Sequence, residues 1–245
     1  MSVLDISNFT TSDMMRARAK LREIRDLRSA SMEEAAQHVV DYFYEQLRVG
    51  FDGPPACGLI RIFKTHPYGE LDEDLQSFAS AAMPGVAIVP ATKCLTLLAT
   101  RGEKPEWNSR HNSDGHRAIP LVSEEMVRKA PMVSRLISQL GLSIPSVLSP
   151  DPSRILEAQE KTYDIFHIAD ALDSPYLPAQ DQFVKPYAIK SVLGFGGILP
   201  SGDFFATIMF SKVSISAGTA QLFAPLALNV KICLLPFNGG VVFEG

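Results

Sequence analysis

The stretch that most constrains the fold is SVLGFGGILPSGDFFATIMF, residues 191–210. Gly194 and Gly196 match the start of a dinucleotide-binding fingerprint, but its third glycine falls on Leu199 and no P-loop lysine follows. The residues after Pro200–Gly202 are apolar and β-prone, which is typical of a strand. Proline presets φ at a turn and glycine accepts a positive φ. We therefore predict a β-hairpin, with glycines that mark a bulge or a close approach of two backbones.

The rest of the chain alternates helical and strand patterns without a regular βαβα order. Capping boxes open helices at Ser31 and Ser123, and Gly141 is placed to close the second of these. We predict helices over 12–29, 31–47, 70–83, 123–141 and 216–237, strands over 56–65, 92–102 and 163–171, and a polar loop over 103–120. Pro225 must lie in the first turn of the last helix or bend it. This order predicts an α+β fold.

Two stretches resemble the GAF family. YAIKSVLGFGGILPSGDFFATIMFSKVSISAGTAQLFAPLALNVKICLL (187–235) is similar to its closing strands and helix, and SMEEAAQHVVDYFYEQL followed by ACGLIRIF (31–63) is similar to its opening helix and first strand. The resemblance implies a central six-stranded antiparallel sheet of GAF/PAS type, helices packed on one face and a small-molecule pocket on the other. The middle segment, 64–161, is longer than the family pattern requires. The additional residues form either a lid over the pocket or a separate subdomain in this interpretation.

These patterns divide the chain into an N-terminal helical arm (1–30), a GAF-like sensor domain (31–238) with an insertion around 64–161, and a tail (239–245). Met14, Ala17, Leu21 and Ile24 form a narrow apolar stripe on the arm, typical of a helix that pairs with another helix. The arm is therefore a candidate dimerisation element. Its six basic residues form a solvated face in this interpretation, rather than a nucleic-acid surface.

Composition excludes several classes of protein. The net charge of -4 gives no reason to expect nucleic-acid or membrane binding. Apolar runs such as GVAIV and LFAPLAL are far shorter than the roughly 20 residues that span a bilayer. The first 15 residues lack the pattern of a secretory signal, so we expect a cytoplasmic location. The scattered Cys57, Cys94 and Cys233 predict buried core residues instead of disulfides or a zinc site.

Candidate ligand-binding residues concentrate in the polar loop and before the hairpin. A lid that binds an anionic or aromatic ligand would use the cations and rings of the loop, whereas a solvated loop would pack its tryptophan on the domain. Gln180 and Asp181 are further candidates for the rim of a pocket. The binding candidates are Arg101, Trp107, Arg110, His111, His116, Arg117, His167, Tyr176 and Tyr187.

No motif identifies catalytic residues, a metal site or a cofactor. His111 and His116 lack a neighbouring ligand at a recognised metal spacing. His167 lies in an apolar strand pattern, where a hydrogen-bonded core histidine is the expected role. For haem or another tetrapyrrole, His167 and Cys94 are the residues to test.

The leading hypothesis is a non-enzymatic sensory domain from a bacterial signalling protein. It binds a small molecule or a partner and relays a conformational change through its terminal helices in a homodimer, to an output signalling domain or partner protein. One alternative is a small-molecule enzyme on an α+β scaffold that uses His111 and His116 for acid–base work. A second alternative is a structural dimerisation module.

Overall fold

The computed structural model describes residues 3–113, 115–151, 153 and 164–244. Its helices are α1 (Thr11–Arg25), α2 (Met32–Gln46), α3 (Glu73–Ala82), α4 (Glu124–Arg128), α5 (Pro131–Gln139), α6 (Ile144–Leu148), α7 (Ala217–Gln221) and α8 (Ala224–Leu234). Its strands are β1 (Leu4–Asp5), β2 (Leu47–Arg48), β3 (Cys57–Pro67), β4 (Lys93–Gly102), β5 (Ala118–Pro120), β6 (Phe166–Ile168), β7 (Ser191–Ile198) and β8 (Phe204–Ser211).

Six strands form one sheet in the order β5-β4-β3-β8-β7-β6, and every neighbouring pair is antiparallel. The two short strands β1 and β2 pair separately and in parallel. This arrangement confirms the predicted α+β class and its central antiparallel sheet. The segment 64–161 contributes β4 and β5 to that sheet, and β5 lies inside the stretch for which the sequence predicted only a loop.

The predicted hairpin is confirmed as β7 and β8, paired from Ser191 with Ser211 to Ile198 with Phe204. The amide of Leu199 donates to the carbonyl of Asp203 over 2.8 Å, and Gly202 adopts the positive φ of +82° expected at the turn. A Cβ on Gly196 would lie 2.1 Å from the carbonyl oxygen of Phe205. Glycine is required there because the backbones of the two strands approach too closely for a side chain.

One face of the sheet, called here the helical face, packs against α2 and α8, and α1 packs on these two helices. Phe43 of α2 lies edge-on to Phe195 of β7, with ring centroids 6.0 Å apart. The apolar stripe of α1 is buried against α8, where the Cys233 thiol donates to the Leu21 carbonyl over 3.3 Å. The stripe that suggested a dimer contact is therefore buried within its own chain. A contact with a second copy would have to use another part of α1.

The opposite face, called here the distal face, is also covered. Helices α4 to α6, Trp107 and the segment before β7 pack on it as a second apolar cluster. The sequence predicted helices on one face of the sheet and a pocket on the other. The pocket on the second face is wrong, because side chains of the middle segment fill the distal face. The helix predicted over 123–141 is two helices, since Pro131 starts α5 and cannot continue α4.

The last predicted helix is likewise two helices, α7 and α8, with Pro225 in the first turn of α8. Within the part of the chain that the structure describes, the stretch 217–237 has the length and composition to cross a bilayer, with a mean hydropathy of 1.5. A core helix can pass the same test. Phe223, Leu226 and Val230 are fully buried in the cluster on the helical face, which is the behaviour of a core helix.

Candidate functional site

The cations of the polar loop bind other parts of the same chain. Arg110 is only 2% exposed, and its Nε lies 2.7 Å from Glu33 Oε2 at the start of α2. Its guanidinium group also lies over the ring of Phe243, 4.8 Å from the centroid. Arg110 therefore joins the loop to α2 and to the C-terminal segment, and its charge is already compensated.

Arg117 and Arg101 are engaged in the same manner. Arg117 pairs with Asp74 of α3 and lies over the ring of Phe78, 5.8 Å from its centroid. Arg101 Nε lies 3.6 Å from Asp41 Oδ1 of α2. A binding lid would aim these cations at a ligand, but the fold uses them to attach β4 and the loop to the helices.

The two loop histidines have different surroundings. His111 is half exposed, with its Nε2 3.5 Å from Glu33 Oε1. His116 has a backbone φ of +60°, and desolvation together with the nearby charge of Arg61 lowers its pKa. Among the described residues, the two side chains share no partner.

Two of the predicted residues, Trp107 and Tyr187, do meet. Their ring centroids are 4.7 Å apart, and Phe183 packs on both rings at 5.6 and 5.8 Å. Trp107 is only 7% exposed, so the tryptophan packs on the distal face instead of stacking on a ligand in solvent. Tyr176 lies elsewhere on this face, under the guanidinium of Arg135 at 4.0 Å from the ring centroid.

His167 and Cys94, the residues chosen to test for haem, are not brought together. They lie on β6 and β4, which are four interstrand steps of about 4.8 Å apart, roughly 19 Å in all. The Nε2 of His167 donates to the carbonyl of Ile215 over 2.9 Å, and burial raises the pKa of the Cys94 thiol to about 11. Among the described residues, no group of three or more His, Cys, Asp or Glu side chains is placed to hold a metal ion.

A depression of about 540 Å³ opens beside the ends of β6, β7 and β8, at the open end of the hairpin. Its lining combines a floor of apolar side chains with a rim of polar and charged groups. The lining residues are Ala169, Asp170, Leu172, Val184, Lys185, Ala188, Ile189, Lys190 and Ser214. We take this depression as the candidate site.

The wall of the depression has an unusual backbone. Gln180–Val184 forms a single π-helical turn, and both Asp173 and Ala188 have left-handed φ values, of +54° and +52°. Such conformations are uncommon in residues with a Cβ, and they occur often at functional sites. The side chain of Gln180 holds this segment, because its amide nitrogen donates to the carbonyls of Ala171 and Leu177 over 3.0 and 2.8 Å.

The charged residues that line the depression are Asp170, Lys185 and Lys190. Lys185 lies 2.7 Å from Asp181 on the preceding helical turn, and this partner raises its pKa. Lys190 is exposed, and its ammonium group has no carboxylate partner among the described residues. A cation beside the apolar floor of Val184 and Ile189 suits a small organic anion. The sequence analysis predicted Gln180 and Asp181 for this region but missed Lys190, since an isolated lysine before a strand carries no pattern.

A second charged cluster lies buried at the turn end of the hairpin. Asp203 accepts hydrogen bonds from Lys64 over 2.8 Å and from Lys93 over 2.7 Å. Burial alone would raise the pKa of Asp203, but the charges and hydrogen bonds of the two lysines lower it below its usual value. Burial lowers the pKa of Lys64 as well, and Asp203 opposes that shift. The sequence signal was present, because Lys64 and Arg61 are the charged residues of a strand that is apolar at Leu59, Ile60, Ile62 and Phe63.

His66 extends this cluster toward the C-terminal segment. Its Nδ1 lies 3.2 Å from the ammonium group of Lys64, so Nδ1 is the acceptor of that bond. Burial and then the charge of Lys64 lower the pKa of His66 to about 4. In this cluster Asp203 is bonded to both lysines, and His66 is bonded to Lys64. Such an arrangement is typical of an ion network that supports a fold.

No protein-family model matches the chain, and no curated protein matches it. Among solved structures, it is similar to the GAF domain of a phosphoenolpyruvate-protein phosphotransferase from Coxiella burnetii, with 13% identity and a TM-score of 0.47. The alignment covers 94% of this chain and 97% of that one. The fold is GAF-like. The six-stranded antiparallel sheet, with helices packed on its helical face, is the architecture that the sequence resemblance to the GAF family implies.

Proposed function

We propose that this chain is a non-enzymatic sensory or regulatory domain that binds a small organic anion in the depression at the open end of the hairpin. The observation that carries the proposal is an exposed Lys190, with no carboxylate partner among the described residues, beside an apolar floor in a cavity of about 540 Å³. The strained wall supports it, because uncommon backbone conformations persist where a site needs them. A cytoplasmic bacterial signalling protein is the setting that the sequence resemblance favours.

The position of the depression supports a relay to the terminal helices. Ser214 lines the depression, and the next residue, Ile215, accepts the hydrogen bond of His167 and donates its amide to Ser191 Oγ over 3.3 Å. Helix α7 begins two residues later and leads into α8, which packs along α1. A ligand that moves Ser214 would therefore change the packing of the two terminal helices, and in a homodimer this change would reach the second copy and a downstream partner.

The decisive experiment is to identify what the purified protein carries. An absorption spectrum and denaturing mass spectrometry of released small molecules would reveal a chromophore or a bound metabolite. We expect an organic anion of low mass, released in lower yield from a Lys190→Glu variant. A matched control is Lys129→Glu, which changes an exposed charge at the C-cap of α4, outside the depression.

A probe of known chemistry complements that experiment. The dye 8-anilinonaphthalene-1-sulfonate is an amphipathic anion, and we expect saturable binding to the folded protein that weakens about tenfold or more in Lys190→Glu, as for the loss of one charged contact. Equal binding by wild type, Lys190→Glu and Lys129→Glu, with no released anion, would contradict the proposal. Among the described residues, no contact specifically favours the enzyme alternative or the dimerisation-module alternative.

A further inference from the structure

The C-terminal segment Val241–Glu244, called here the strap, caps the start of α2. The amide of Met32 donates to the carbonyl of Val241 over 3.0 Å, and the amide of Glu33 donates to the carbonyl of Val242 over 2.9 Å. Amides in the first turn of a helix have no partner within the helix. Ser31 Oγ caps the amide of Glu34 over 3.0 Å, so the strap supplies the acceptors that the N-cap residue does not.

The side chains of the strap also contact the rest of the domain. The ring of Phe243 lies edge-on to His66, with centroids 5.4 Å apart, and under the guanidinium of Arg110. It also packs against the apolar cluster between α3 and the sheet. At Glu244, the amide donates to Glu33 Oε2 over 3.1 Å and the carbonyl accepts from Arg110 Nη2 over 3.4 Å. The contacts are those of a short extended peptide bound in a groove.

The strap is attached to the domain through a pair of glycines. Gly239 has a φ of +86°, and a Cβ there would meet no atom within 4 Å, so the turn is not locked by packing. The strap pairs with no strand, and the side chain of Val241 is 58% exposed. Only Val242 and Phe243 contribute partly buried apolar groups. The strap can therefore leave its groove without breaking the sheet or the helices.

We propose that the groove between the start of α2 and α3 is a peptide-binding site, that the strap is its exchangeable occupant, and that the same segment of a second copy of this chain binds there in trans. The contacts define the occupant, because the groove binds two consecutive carbonyls, an aromatic ring and an acidic residue in this order. A second copy carries that segment by definition, and exchange of an identical element between two copies is a low-cost route to a dimer. The proposal does not depend on the ligand proposed for the depression.

The test uses a fluorescent peptide with the sequence of residues 238–245, NGGVVFEG, and fluorescence anisotropy. In wild type, the strap competes in cis at an effective concentration in the millimolar range, so the peptide binds weakly. In Phe243→Ala, the strap loses its anchor, and we expect at least about tenfold tighter binding of the peptide. Val241→Ala changes an exposed side chain and should behave as wild type. The peptide NGGVVAEG should bind neither protein measurably.

Circular dichroism shows whether Phe243→Ala is folded, and equal peptide binding by folded Phe243→Ala and wild type would overturn the proposal. Should that variant unfold, hydrogen exchange of the wild-type protein decides. We expect the amides of Met32 and Glu33 to exchange at least about tenfold faster than those of Val39 and Val40, through opening of the strap alone. Exchange of all four amides only through global unfolding would show that the strap is a fixed part of the core.

Discussion

The two ends of the β7–β8 hairpin both hold lysines, and they use them in opposite ways. At the turn end, Lys64 and Lys93 lie on either side of the buried Asp203, with side chains only 4% and 15% exposed. At the open end, Lys185 and Lys190 are exposed around a depression, and Lys190 has no carboxylate partner among the described residues. A buried charge must be paired, whereas an exposed one is solvated by water. The lysines at the turn end are therefore paired inside the fold, whereas the exposed Lys190 at the open end is the charge on which the proposed anion site depends.

The largest expected effect comes from breaking the turn end. Asp203→Asn leaves two lysines without their carboxylate, and removing one partner of a buried pair costs about 3–5 kcal/mol of unfolding free energy. Urea denaturation followed by circular dichroism measures this loss. Asp181→Asn, which removes the exposed partner of Lys185, is the matched control and should leave stability nearly unchanged. Similar losses of unfolding free energy in Asp203→Asn and Asp181→Asn would show that the lysine–carboxylate pairs at the two ends contribute equally to stability.

The second prediction concerns pH. In the unfolded chain His66 binds a proton below its ordinary pKa of 6.5, whereas in the fold it does so only near pH 4. The unfolded state is therefore favoured as pH falls from 6.5 to 4, at a cost of about 3 kcal/mol to stability. Asp203 has a lowered pKa, so its stabilising contribution is lost only at still lower pH.

Urea denaturation at pH 7 and pH 4.5 checks the pH prediction. His66→Gln keeps an acceptor for Lys64 and should lose most of the decrease in stability between the two values. His167→Gln is the comparison variant, because burial also lowers the pKa of His167 and its smaller contribution has the same sign. An unchanged decrease in His66→Gln would contradict the assignment.

The third prediction tests the middle of the hairpin, between its two ends. A Cβ on Gly196 collides with the backbone of β8, so Gly196→Ala should destabilise the protein by about 1–3 kcal/mol, as for overpacking in a core. Gly218→Ala is a contrasting control in α7, where the nearest atom to a new Cβ is 3.9 Å away. It should stabilise the helix by up to about 1 kcal/mol. Thermal unfolding of both variants distinguishes the two outcomes.

The smallest effect on stability is expected at the open end. Lys190→Ala removes an exposed side chain and should change the unfolding free energy by less than about 0.5 kcal/mol. The same variant should lose affinity for the anionic dye. Reduced stability together with unchanged dye binding in Lys190→Ala would show that this lysine supports the fold and does not bind the anion.

The sequence predicted the elements whose signals are local. The hairpin follows from a turn of proline and glycine between β-prone runs, and α2 follows from the cap at Ser31 and its wide apolar face. Gly141 closes α5 with a φ of +74°, as predicted. All three cysteines are buried, also as predicted. These features depend on residues close together in the chain, so the pattern alone was sufficient.

The candidate site was predicted less well. Arg101, Arg110 and Arg117 were proposed as ligand contacts because they cluster in the sequence, but carboxylates of α2 and α3 bind them in the fold. The depression is built from the ends of three strands and a turn, and these residues are up to 45 positions apart. No local pattern records that proximity. The role of the strap was missed for the same reason.

By itself, the sequence determined the α+β class, the hairpin, the cysteines as buried core residues and the capped starts of α2 and α4, since these rest on periodicity, caps and turns. Only the tertiary structure decided which charges are used within the fold. The partners of Arg110 and Asp203 are distant in sequence, and a charge is free or paired according to what packing places within a few ångströms of it. For the same physical reason, Lys64 supports the fold and Lys190 is available to a ligand.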